Sequence, residues 1–498
     1  MEDASFAAIK SFYGFLVNLN HRITKRSVSS TTLMSINALM LPRPFWNYRK
    51  IASLILRDFA FLALTCSFFS HLLFSAAVGF PDGELHARLK KYEIVSTRLT
   101  SFTDTVISEI LQKVQMHSNW RTTCSMEMVT DIGRVPVFIK TIPLTKREVQ
   151  SERSTENLFD LPLYYQYGVG SAGFGVWREL SAYLMSTNWV LTGECQNFPL
   201  VYHWRVLAQS PPLITSEQKA DLERRFIYWE QSIAIRTLLV EKQNASSVMV
   251  IFMECIPETL ETWLNNKFAE TGKISDSDIT MVDTNLKDIT TFINSRGLLH
   301  FDMHFRNILT DGKRLYLADF GLATSLSFQL SAAELEFFEH HSNYDRSCNA
   351  MHLVNWLVIH LFGEEKVDAA LQEYANGLKV KEFTPLINSM ITRYTPAAII
   401  MNDFFRKLRN EKKTTPYPGA ALDEIFRQLK NEGYAATSLV QHRGLYGIKP
   451  GLLWETISKR GVRLREAISS LASAAYLLFF SHALANRPTK RKPPEIPI

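Results

Sequence analysis

No other part of this 498-residue chain leaves as few structural choices as residues 299–323, LHFDMHFRNILTDGKRLYLADFGLA. It holds His300-x-Asp302-x-x-x-x-Asn307, and then NILTDGKRLYLADFG, which reads as a strand, an Asp311-Gly312 turn and a second strand. Such a hairpin places Asn307 and Asp319 side by side at its open end, with Asp302 just upstream. Two carboxylates and one carboxamide are therefore held at fixed offsets. Hard oxygens in this number suit magnesium, which takes few protein ligands. Phosphoryl transfer needs positioning and charge neutralisation more than covalent help, and this layout offers both.

The loop from His300 to Asn307, together with Asp319-Phe320-Gly321, resembles the catalytic loop and DFG motif of the protein kinase superfamily. Two motifs in the right order and separation are more specific than either alone. The resemblance implies an α+β, two-lobed protein kinase-like fold over roughly residues 120–460, with a small β-rich N-lobe and a larger helical C-lobe. It implies ATP and Mg2+ as cofactors, with Asp302 as catalytic base or orienter and Asn307 and Asp319 on the metal. His300 has a structural role in that family and is given one here.

Upstream, CSMEMVTDIGRVPVFIKTIPL alternates like two strands around Asp131–Arg134, with Lys140 ending the second. Alone, such a lysine is a solvated charge. The resemblance assigns it to the nucleotide's inner phosphates. Next comes YYQYGVGSAGFG, with Gly168, Gly170 and Gly173 in a G-x-G-x-x-G spacing that lets backbone amides approach phosphate at a helix start. In kinases the glycine loop precedes the strand lysine, whereas here it follows Lys140. No strand–helix–strand unit surrounds it, which weakens a dinucleotide-binding reading. The helix after the glycines carries Glu179, a candidate partner for Lys140 although it lies 39 residues beyond it. By itself Glu179 also reads as an exposed first-turn carboxylate favoured by the helix dipole. FPLVYHWRVL reads as a strand, and residues 216–242 as one helix that kinases do not need. The strand Ser247–Met253 leads into Glu254 and Cys255, whose place in the order resembles the kinase hinge that pairs with adenine. A helix over Asp276–Ser295, with Ile279, Val282, Leu286, Ile289 and Ile293 on one face, delivers the chain to the loop.

After Asp319 no APE-like motif follows, and the chain runs quickly into an apolar helix where Asp345 is placed to anchor the catalytic loop. Phe301 replaces the arginine that normally precedes the catalytic aspartate, which argues against control by a phosphorylated loop. His304 occurs at this position in small-molecule kinases of the aminoglycoside and choline type, while Arg306 is closer to tyrosine kinases. A protein hydroxyl is the first choice of acceptor because LADFGLA looks most like protein kinases. A small-molecule kinase and a pseudokinase scaffold remain as alternatives.

Composition fixes the setting. An apolar fraction of 46% and a charged fraction of 21% are those of a globular protein, and a net charge of +6 over this length gives no case for a nucleic-acid partner. Five dispersed cysteines without a CxxC pair indicate reduced thiols. Residues 1–57 carry eight Lys or Arg against two acids and precede an apolar run at 59–80; a second run at 467–485 precedes a basic, proline-rich tail. Basic flanks keep both ends on the cytoplasmic side, so two spanning helices would remove the region between them from ATP. The reading is therefore at most one membrane contact, through 59–80 or 467–485, with a removable targeting segment at 59–80 or packed helices as the alternatives. The protein is expected in the cytoplasm or on the cytoplasmic face of a membrane. The domains expected are an extension over 1–118, an N-lobe over 119–258, a C-lobe over 259–462, and an apolar helix and tail over 463–498.

Overall fold

Residues 81–120 read as one polar helix, but the described chain opens on two, α1 (Gly83–Ser101) and α2 (Asp104–Met116). The break is local chemistry. Thr100 and Ser101 turn their hydroxyls back onto the carbonyls of Ser96 and Arg98, and the Thr103 hydroxyl accepts the Val106 N–H to cap the next helix. These observations come from a computed structural model that describes residues 83–116, 123–210 and 213–431. The chain divides into units of residues 1–83 and 84–498, and the second is the one described here. That unit includes both helices, which composition assigns to the extension. The apolar runs at 59–80 and 467–485 lie outside the described residues, among which no helix is long and apolar enough to cross a membrane.

β1 (Thr123–Thr130) and β2 (Gly133–Leu144) form the expected hairpin, closed by Asp131-Ile132 and by Gly133 at φ 107°. Lys140 does not end β2. The strand runs four residues further because β4 (Ser247–Glu254) pairs with it from Val137 to Leu144. Val135, Val137 and Ile139 enter the core while Phe138 and Lys140 point to the other face, the period-two outcome of a half-buried strand. With β3 (Val201–Ala208) the antiparallel order is β1-β2-β4-β3.

Between β2 and β3 lie α3 (Lys146–Gln150), a 3-10 turn over Leu163–Gln166, the glycine-rich segment, and α4 (Val176–Leu191). α4 buries Trp177, Leu180, Tyr183 and Val190. The helix expected over 216–242 is split into α5 (Ser216–Tyr228) and α6 (Ile233–Gln243), because Glu230 and Gln231 adopt positive φ of 54° and 57°. After β5 (Glu258–Thr259) come α7 (Leu260–Thr271) and α8 (Asp276–Ser295), whose five expected apolar residues are all buried. Four short strands follow: β6 (Leu298–Leu299), β7 (Ile308–Thr310), β8 (Leu315–Leu317) and β9 (Thr324–Ser325). β7 pairs with β8 as the expected hairpin, and β6 with β9. The rest is helical: α9 (Ala332–His340), α10 (Tyr344–Phe362), α11 (Val367–Ala375), α12 (Pro385–Asn410) and α13 (Gly419–Asn431). The molecule is thus α+β, mostly helical with small antiparallel sheets, and one apolar cluster runs from the four-stranded sheet through α4 into α8, α10 and α12.

Candidate active site

α8 and the β6/β9 pairing deliver a loop whose backbone is held by a single buried carboxylate. Asp345, at the start of α10, accepts the His300 N–H at 2.7 Å and the Phe301 N–H at 2.9 Å. Phe301 has φ 65°, unusual for an aromatic residue, and its ring packs 4.6 Å from that of Tyr344. Burial pushes the Asp345 carboxyl up to about 6. The His300 ring accepts from the Asp302 N–H at Nδ1 (3.2 Å) and donates from Nε2 to Ala318 O (3.0 Å), which requires the neutral imidazole. Its burial agrees, holding the pKa down at about 4.

Asn307 then closes on Asp302. Its Nδ2 donates to Asp302 O and Asp302 Oδ2, both at 3.0 Å, so its amide oxygen faces away. Ala318 N donates to Asn307 O at 2.9 Å, which ties the hairpin's open end together and brings Asp319 alongside. Burial raises the Asp302 carboxyl above its ordinary value, against the opposing influence of His304, whose Nε2 is 3.7 Å from Oδ2.

Lys140 reaches this point from the sheet. Its Nζ is 2.7 Å from Glu179 Oε1 and 2.7 Å from Asp319 Oδ1, with the lysine 15% and the glutamate 8% exposed. Burial disfavours the ammonium, but Glu179 and Asp319 outweigh it and its pKa lies well above the usual lysine value. Burial raises Glu179, partly offset by Lys140, whereas Asp319, opposed by its own burial, is lowered by the same ammonium. Asp319 sits at φ 60°, and its N–H donates to the Tyr183 hydroxyl at 3.2 Å. Tyr183, one turn after Glu179 on α4, is fully buried with its ring edge-on to Phe320 at 5.0 Å. Sequence reasoning missed it, although the i, i+4 spacing from Glu179 was a usable signal.

Lys140, Tyr183, Asn307 and Asp319 border a cleft of about 980 Å3 between the face of β2 that carries Phe138 and Lys140 and the β7–β8 hairpin, with residues 253–259 as one wall. That volume suits a nucleotide-sized ligand. Glu254 and Cys255 lie on that wall. The Glu254 carboxylate is engaged by Arg88 of α1 at 2.7 and 3.1 Å, and Arg88 also donates to Gln196 O and Phe198 O. The Glu254 N–H goes to Leu200 O at 2.8 Å.

The glycines lie elsewhere, and none of the three borders the cleft. Gly168 rests on Asp302, where an added methyl group would overlap Oδ1 and come within 3.3 Å of the carboxyl carbon. Gly173, at φ 76°, rests on the Gly321 carbonyl in the same way, and Gly170, at φ 99°, meets open space. Among the described residues no group of three or more His, Cys, Asp or Glu gathers as for a zinc-type site. A hard cation needs less: the Asn307 amide oxygen and the half-buried Asp319 carboxylate fit magnesium, whose other ligands are water and phosphate. Neither a protein-family model nor any curated protein matches this chain.

Proposed function

We propose that this chain is an ATP-dependent phosphotransferase with a two-lobed, protein kinase-like build, which moves the γ-phosphate of ATP to a hydroxyl. The observation that carries the reading is Lys140, held at 2.7 Å by carboxylates from two separate elements, Glu179 of α4 and Asp319 after β8, beside a nucleotide-sized cleft. A lysine serving only stability would not need two acids on the border of a cavity. Glu179 keeps the ammonium charged and aimed, and Lys140 then meets the nucleotide's phosphate oxygens. Asn307 and Asp319 would hold magnesium, which supplies charge neutralisation on the transferring group. Asp302, made more basic by burial and oriented by Asn307, takes the proton of the attacking hydroxyl.

The test is magnesium-dependent ATP binding and turnover by the full chain. Asp302→Asn should leave ATP affinity within about twofold and cut turnover by about 100-fold or more. Lys140→Met should weaken ATP binding itself. Binding without any Asp302-dependent turnover would replace this reading with a nucleotide-binding scaffold.

A further inference from the structure

We propose that the segment Leu163–Gly175 is the acceptor-side wall of this site, that it admits small hydroxylated molecules and excludes polypeptides, and that Gly168 sets the fit. This rests on the phosphotransfer reading and names the substrate class for it.

The segment lies directly on the catalytic groups. Gly168 lies against Asp302 Oδ1, so close that an added methyl group would overlap it, and near the Phe301 carbonyl; Asn307 Nδ2 orients Oδ2, and the carboxylate keeps a quarter of its surface exposed for the acceptor. Five residues on, Gly173 covers the Gly321 carbonyl, and Gln166 Nε2 donates to Leu322 O. The chain after Asp319 is covered in the same fashion further along. Gln329 Oε1 accepts the Thr155 N–H at 2.9 Å, and Arg178 pairs with buried Glu334.

This wall is built in and does not behave as a loose lid. Tyr167 donates to His341 Nε2 at 2.7 Å among Phe337, Tyr344 and Phe404. Tyr165 is fully buried, its hydroxyl accepts the Ala172 N–H at 3.0 Å, and Lys242 Nζ holds Ala172 O at 2.8 Å. Tyr228 donates to Val169 O at 2.9 Å.

A polypeptide that offers a side-chain hydroxyl must also lay down its neighbours. An extended chain advances about 3.3 Å per residue, so three residues on each side need roughly 10 Å of free surface both ways. On the side of Gly168 that surface belongs to residues 163–175, and along the chain beyond Asp319 it belongs to residues 154–178. A molecule of a few carbons needs no such track. Its hydroxyl oxygen bonds to the γ-phosphorus as the bond to the β,γ-bridging oxygen breaks; ADP leaves, and the hydroxyl proton passes to Asp302. Water as acceptor gives ADP and inorganic phosphate, and an alcohol gives ADP and a phosphate ester.

The experiment follows γ-labelled ATP with the full chain, using casein and myelin basic protein as polypeptide probes, and water, glycerol, glucose and choline as small ones. The expected result is Asp302-dependent label in inorganic phosphate or in a small ester, with none on polypeptide above the Asp302→Asn background. Gly168 has no left-handed φ, so Gly168→Ala strains only the contact with Asp302. It should lower turnover at least tenfold with ATP affinity within twofold, and Asp302→Ala in the same chain should recover its lost Tm. Asp302-dependent label on casein, on myelin basic protein or on the chain itself overturns the acceptor proposal alone, as does Gly168→Ala turnover within twofold of wild type. Absence of any Asp302-dependent turnover overturns the phosphotransfer reading and this proposal with it.

Discussion

Asp345 shows how one buried residue can support a site it does not touch. Both of its oxygens accept loop N–H groups, one of them from Phe301 in its left-handed conformation. Asp345→Asn would set an amide N–H2 against one of those donors. The expected cost is about 1–3 kcal/mol in denaturant unfolding, because a buried N–H loses its acceptor. Turnover should fall with it while the protein still folds; unchanged unfolding would show that the loop keeps its shape without this carboxylate. Of the residues legible in the sequence, His300, Asp302, Asn307, Asp319 and Asp345, all but the last share a reason for being so. The first four sit within one loop and hairpin, where spacing fixes geometry. The glycines are the opposite case, since a G-x-G-x-x-G pattern says that something approaches the backbone closely but not what it is. Here Gly168 meets a carboxylate and Gly173 a carbonyl.

Among the elements, α1 is the one whose attachment composition hides. A polar helix with few apolar residues reads as an appendage, yet Arg88, 6% exposed, forks onto Glu254, 7% exposed, behind the cleft wall. Arg88→Met would leave the Glu254 carboxylate buried without its guanidinium, at an expected cost of about 3–5 kcal/mol. Adding Glu254→Leu should recover most of that, because a buried ion pair exchanged for packed apolar groups is close to neutral. A double variant no more stable than the single one would mean that the backbone contacts to Gln196 and Phe198 dominate. Elements set by strong local patterns, such as α8 and the β1–β2 hairpin, were readable in advance. The end of β2 and the split between α5 and α6 were not, because pairing with β4 and two left-handed residues decide them, and neither has a periodicity.

For the whole molecule, pH is the probe that separates packing from chemistry. His341 is held neutral: Nδ1 donates to Phe337 O at 2.6 Å, Nε2 accepts from Tyr167, and burial lowers its pKa to about 4. Its unfolded value is near 6.5, so between pH 6.5 and 4 the unfolded chain binds more protons and stability falls as pH falls. By pH 5 this amounts to about 2 kcal/mol. Asp345, raised to about 6, acts in the opposite sense over pH 4–6, but it is common to wild type and variant. Comparing Tm at pH 7.5 and pH 5, His341→Gln should therefore show a smaller acid loss than wild type; equal losses would remove His341 as the cause. Three ties limit how far the two sides of the cleft can part. The β2–β4 side and the helical side are tied by Tyr167 to His341, by Arg178 to Glu334, and by Lys413, whose N–H meets Glu230 at 2.6 Å and whose ammonium sits 3.6 Å over Tyr228. With both shores moored at these three points the opening is a slot of set width rather than a jaw, so any molecule that fits the Lys140 cleft would have to pass without the banks parting.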